Sequence, residues 1–296
     1  MWRYREVLKN FVAQDLKVKY RRSILGFFWS LLNPLLQMIV LSTVFSLIFR
    51  MESFSLYLLA GLVPWTFFAA TVDGCSMSIV SAENLIKRQY FPKILFPLSV
   101  TLQNLVTFAL SLFALLLILG WIIGFDPSRA LLILPLSFLC LLCVGFGVGA
   151  LASVLTVYFR DMQHLIGVFM MVLFYFTPII YPLEIKRPAP DVHSEAPQTA
   201  HAAGVAPSNV AHEASADPEQ MYYKKPVVTG PIPHQYRFYF KLNPMYAIME
   251  MFHRPIYDNM LPTRKELAAA VAISLFCLVG GLAVFWRYEN KLIFAL

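Results

Sequence analysis

Six stretches of this chain are long and apolar enough to cross a lipid bilayer, and they leave little else for it to become. They run roughly over 24–49, 56–80, 99–124, 130–158, 164–182 and 267–286. A spanning helix needs about 20 mostly apolar residues. In lipid each segment has to satisfy its own backbone hydrogen bonds, so these stretches are expected as helices. Composition agrees. Hydrophobic residues make up 58% of the 296 and charged residues only 14%, where a soluble domain carries about 25% charge. The expected fold class is an all-α integral membrane protein.

The net charge of +7 comes from Lys and Arg crowded beside the apolar stretches. That placement suits a membrane surface better than nucleic acid. Thirteen Lys and Arg fall at the two termini and in the 81–98 and 159–163 connections, against Arg50 and Arg129 in the short connections of the other side. Positive charge marks the cytoplasmic side, so both termini are expected there. Residues 1–22 are too polar for a signal peptide or a span. Tyr4, Val7, Leu8, Phe11, Val12 and Leu16 recur at helical spacing between charges. They predict an amphipathic helix lying in the cytoplasmic interface, or packing on a partner.

The 81–98 connection, SAENLIKRQYFPKILFPL, carries the clearest cytoplasmic signal. Ser81 to Asn84 can cap a short helix. Leu85, Ile86, Tyr90 and Phe91 then offer an apolar edge beside Lys87 and Arg88, and Pro92 and Pro97 end the run. Such a helix can dock in a groove of a soluble partner; the plainer reading is a basic loop that only sets topology. On the far side, residues 187–235 are rich in Ala, Pro, His and Ser and read as a flexible insertion. Residues 238–262 are aromatic, Met-rich and amphipathic, with Glu250 and Arg254 spaced as a helical ion pair. They predict short helices dipping into the outer leaflet.

Aromatic rings stand in or near the ends of the spans: Trp29, Trp65, Phe67, Phe68, Phe174, Tyr175, Phe176 and Tyr181. Interfacial belts account for such rings one at a time. A second reading is that some line a passage and stack on sugar faces. Gly145, Gly147 and Gly149 form a small-residue face for close helix contact, within one chain or between two. Pro34, Pro64, Pro135 and Pro178 invite kinks. Asp73 is the one acid deep in an expected span, and it is expected to face a lumen or a partner charge. Cys140 and Cys143 have CxxC spacing but no nearby His or charge, and read as packing residues. His193, His201 and His212 show no regular ligand spacing, so no metal is expected. The chain has no GxxxxGK[ST] phosphate loop, no HExxH and no GxSxG. It is therefore not expected to be an enzyme.

Six blocks in order, YRRSILGFFWSLLNPLLQ, YLLAGLVPWTFF, ENLIKRQYFPKILFPLS, VYFRDMQHL, FTPIIYP and LNPMYAIMEMFHRPIY, resemble the membrane subunits of type-2 ABC exporters. The likeness is to the branch that exports O-antigen, teichoic-acid or capsule polysaccharides. It implies an N-terminal interface helix over 1–22, six transmembrane helices within 23–296, and short re-entrant external helices between spans five and six. It implies a homodimer in the bacterial cytoplasmic (inner) membrane, paired with two copies of a cytoplasmic ABC ATPase that holds the ATP and Mg; this chain would hold no cofactor. The family's coupling helix falls on 83–91 here, on Glu83, Asn84, Leu85, Ile86, Lys87, Arg88, Tyr90 and Phe91. The implied substrate is a polysaccharide on undecaprenyl diphosphate. The family's external loop is usually shorter, which marks 187–235 as an insertion.

Under that resemblance Arg21 and Arg22 sit where a lipid diphosphate would enter the first span, and guanidinium forks suit phosphate oxygens. Anchoring to anionic lipid is the simpler role. Asn33-Pro34 would bend that span. A type-2 exporter of small drugs or lipids, and a non-transporting membrane scaffold, are the competing functions.

Overall fold

The computed structural model describes residues 4–20, 26, 28–49, 54–88, 91–123, 129–183 and 234–292. Every regular element among them is helical. In chain order these are α1 (Arg5–Tyr20), α2 (Phe28–Phe49), α3 (Phe54–Ser81), α4 (Glu83–Arg88), α5 (Leu95–Ile123), a 3-10 turn (Arg129–Ile133), α6 (Leu134–Tyr158), α7 (Met162–Phe176), α8 (His234–Lys241), α9 (Pro244–Ile256) and α10 (Arg264–Glu289). Met1–Ile180 with Phe238–Leu296 form one compact unit; Tyr181–Arg237 form a second. The insertion expected over 187–235 lies almost wholly outside the described residues.

Helix α3 is the centre of the first unit. Leu58, Leu59 and Ile79 are fully buried on it, and it packs against α6, α5, α2 and α9. Lipid gives no hydrophobic drive between helices, so close van der Waals fit has to hold them together. The glycines supply that fit. Gly145 and Gly149 face α3, where an added Cβ would meet Phe67 at 3.4 Å and Cys75 at 2.9 Å. Gly147 turns the other way and abuts the backbone of α10 at Cys277 and Gly281. The small residues of α6 are thus used within the chain, against two of its neighbours.

Among the described residues, four helical stretches are long and apolar enough to cross a membrane: Phe54–Ser81, Leu95–Leu117, Arg129–Tyr158 and Arg264–Glu289. Of the other two expected spans, α2 is 22 residues long, with Leu32–Phe45 as its described apolar stretch, and α7 is 15 residues long. The fifth expected span, 164–182, stops early for a visible reason. Thr177 is extended, its N–H bonds Leu173 O at 2.9 Å, and Pro178 follows. At 15 residues α7 is about 22 Å long, against a hydrocarbon core of about 30 Å. Prolines act by position. Pro34 and Pro64 lie inside helices that continue through them, while Pro135 occupies the first turn of α6, where its missing N–H removes no bond.

Large apolar side chains remain exposed along the outside of the bundle, among them Leu165, Val168 and Phe169 on α7 and Leu275, Phe276 and Val279 on α10. Apolar exposure on this scale is what a lipid-facing helix presents.

Candidate functional site

Helix α4 is six residues long and joins α3 to α5. With about 100° between successive residues, it divides into two sides. Asn84, Lys87 and Arg88 are exposed, while Leu85 and Ile86 pack against a buried cluster that includes Ile79, Ile94 and Phe96. Two residues of the expected apolar edge, Leu85 and Ile86, are thus half-buried against the chain's own core. The feet of the long helices offer an apolar seat and the charged side chains keep the water. Phe91 is also turned in: it meets Tyr4 edge-on at 6.5 Å and Phe11 at 6.2 Å, wedging the connection against α1. Tyr90 lies outside the described residues. Glu83 bonds Lys87 at 2.6 Å. That hydrogen bond, the charge of Lys87 and the more distant Arg160 hold its carboxyl below the usual range. The surface left for a partner is polar and basic.

The rings proposed for a passage separate into two groups. Trp65, Phe67 and Phe68 are buried within the chain, Trp65 packed on Phe174 and Phe67 on Phe108. Trp29, Tyr175 and Phe176 are exposed, and Phe176 stacks on Phe240 at 5.0 Å. Tyr181 is half-buried in the second unit. Arg21 and Arg22 lie outside the described residues.

What α3 leaves open is a different set. Ala70, Asp73 and Ser81 are exposed and Ser55, Thr66, Ala69, Gly74, Met77 and Val80 half-buried, most of them at helical spacing along one line. The most buried long helix thus keeps one narrow open stripe. Its exposed members are all small or polar, and Met77 and Val80 are the large apolar side chains among the half-buried ones. Asp73 is eight residues before Ser81, about 12 Å along the axis. Three- and four-residue spacing of small or polar residues was the signal for this stripe, masked in the sequence by the bulky rings beside it and by Met77 and Val80 within it.

A second polar cluster joins α9 to the start of α10. Arg254 pairs with Glu250 at 3.3 Å and with Glu266 at 2.8 Å. Glu266 also closes a capping box with Thr263, giving α10 a firm start. Beside it His253 is buried, stacks on Tyr57 at 4.4 Å, and fits only because Gly61 has no side chain. Burial pushes the His253 imidazole down to about 4. Burial likewise pushes the Glu250 carboxyl up to about 7, against the pull of Arg254. Asn243 ties this region to the end of α7: its Nδ2 donates to Thr177 Oγ1 at 2.9 Å, and its Oδ1 accepts from the Met245 N–H, capping α9.

Comparison with known proteins gives one family. The family described as ABC-2 type transporter matches residues 6–189. A relative named O-antigen export system permease protein RfbA, from Myxococcus xanthus, is 28% identical over 287 residues, covering 96% of this chain and 93% of its own. A protein of the same name from Klebsiella pneumoniae is 32% identical over 179 residues, 60% of this chain and 69% of its own. The polysialic acid transport protein KpsM of Escherichia coli is 23% identical over 176 residues, 57% of this chain and 67% of its own.

Proposed function

The chain belongs to the ABC-2 type transporter family, and from that premise we propose that it is the membrane subunit of an ATP-driven exporter of a lipid-linked, O-antigen-like polysaccharide. Two copies would form the path, with α2, α3, α5, α6, α7 and α10 crossing the bacterial inner membrane and both termini in the cytoplasm. Helix α1 would lie in the cytoplasmic interface, and α8 and α9 would dip in from outside. ATP and Mg would be bound by two separate cytoplasmic ATPase subunits, since this chain carries no phosphate loop of the GxxxxGK[ST] kind.

The observation that carries the reading is the posture of α4. Its basic side faces out and its apolar side is seated on the feet of the long helices. A soluble partner closing on that side would push the bundle as a rigid body. The path for the polymer would follow the open stripe of α3, where Thr66, Asp73 and Ser81 can hydrogen-bond sugar hydroxyls. The exposed rings of Trp29, Tyr175 and Phe176 would stack on sugar faces. Arg21 and Arg22 would receive the diphosphate of an undecaprenyl carrier. The names of the relatives, which speak of O-antigen and polysialic acid, favour a polysaccharide over a small drug or lipid.

The test is a charge reversal at the exposed side of α4. Lys87→Glu with Arg88→Glu is expected to release the ATPase subunit from the detergent-purified complex while the chain still inserts and folds. A complex that stays intact and exports normally would refute the docking role.

A further inference from the structure

Lys93 is more than a topology-setting charge. A lysine on the loop surface would set orientation equally well, yet Lys93 is only 5% exposed. Its Nζ donates to the main-chain carbonyl of Glu289 at 2.8 Å, and its own backbone N–H donates to Glu289 Oε1 at 3.2 Å. Glu289 is the last residue of α10. The final carbonyls of a helix have no partner within it and carry the negative end of its dipole, so an ammonium placed there is favoured. A buried ammonium in turn needs its charge met, and the end of α10 meets it. Apolar packing surrounds the contact: Ile94 and Phe96 share one buried cluster with Phe285 and Leu292.

The other end of α10 is gripped as well, by the Arg254 contact to Glu266. Between the two grips α10 crosses α6 at Gly147 and Gly281, with no side chain to yield. The helix is built as a rod, held at both ends and pivoted between them.

We propose that Lys93 is the positioning residue through which displacement of α4 is handed to α10 and carried to the far side of the membrane. The proposal rests on the reading of α4 as the ATPase-facing helix. Lys93 touches no substrate; it acts through the foot of α10.

The experiment uses the full complex with its ATPase in nanodiscs. The four native cysteines are replaced by alanine, and spin labels are placed at Leu132→Cys and Lys265→Cys, both exposed positions at the outer end. With Lys93 present, trapping with ATP is expected to shift the label distance. With Lys93→Met the ATPase is expected to stay bound, the shift to vanish, and export per ATP to fall about tenfold. Lys93→Arg, which keeps a cationic donor, is expected to restore part of both. An ATP-driven shift in Lys93→Met equal to that of the parent overturns the proposal. If Lys93→Met fails to assemble, Lys93→Gln carries the same two outcomes. Failure of the Lys87→Glu, Arg88→Glu pair to release the ATPase would overturn the α4 reading itself. If that pair releases it and Lys93→Met still transmits, only this inference falls.

Discussion

Gly147 and Gly281 meet main chain to main chain: a Cβ on Gly281 would overlap the carbonyl of Gly147, and one on Gly147 would overlap the backbone at Cys277. Backbones this close leave α6 and α10 no room for a methyl group, and neither can rotate a side chain away. Gly281→Ala is expected to destabilise the fold by about 1–3 kcal/mol, the usual range for overpacking. Gly280→Ala is the internal control, because nothing lies within 4 Å of its added Cβ. It is expected to leave the melting temperature in detergent unchanged or slightly raised.

Two titratable groups on α9, Glu250 and His253, give a pH prediction whose two halves oppose. Folded Glu250 has its pKa raised from 4.5 to about 7. Its contribution to stability is complete below the unfolded value and is lost as pH rises through the folded one. Folded His253 is lowered from 6.5 to about 4. Its contribution is present above the unfolded value and is lost as pH falls through the folded one. Each swing is roughly 3 kcal/mol. They nearly cancel over the acidic window they share. Glu250→Gln is expected to uncover the effect of His253, so its melting temperature falls more steeply than the parent's on acidification from pH 7. His253→Gln is expected to uncover the effect of Glu250 and to lose stability as pH rises toward 7. Parallel pH profiles for all three proteins would contradict the assignment.

Asn243 makes three hydrogen bonds from a buried position, to Phe176 O, Thr177 Oγ1 and the Met245 N–H. Asn243→Ala removes the α9 cap and strands two acceptors at the end of α7. The expected loss is about 2 kcal/mol, read as a lower unfolding midpoint.

Asp73 predicts the reverse pattern. It is exposed, so Asp73→Leu is expected to change stability by less than about 0.5 kcal/mol. Export is expected to slow about fivefold, on the order of 1 kcal/mol of barrier. A stable variant with normal export would remove the α3 stripe from the path.

Much of this arrangement is legible in the sequence, and the parts that are not have a common cause. Long apolar stretches mark their own helices, because a span satisfies its backbone internally. The Glu250–Arg254 pair is legible because four residues along a helix are neighbours. Its third member, Glu266, is twelve residues from Arg254, beyond any local pattern. The clasp of Lys93 on Glu289 joins residues 196 apart, and only the folded chain brings them together. Helix α4 is legible as a helix, but six residues are too few for a periodicity that fixes its buried side. Leu85 and Ile86 have the composition of a docking edge, and the structure seats them half-buried on the chain's own core. Trp65, Phe67 and Phe68 show the same limit: in a chain apolar nearly throughout, hydrophobicity does not separate a side chain facing a neighbour from one facing a path.

The central claim is that this chain carries a lipid-linked polysaccharide outward. Its most direct test is to delete the chain in the cells that make it and to quantify lipid-linked glycan on each face of the inner membrane. The account predicts polymer trapped on the cytoplasmic face and a surface stripped of it, with both restored by the intact chain. Normal surface polysaccharide with no cytoplasmic accumulation would contradict it.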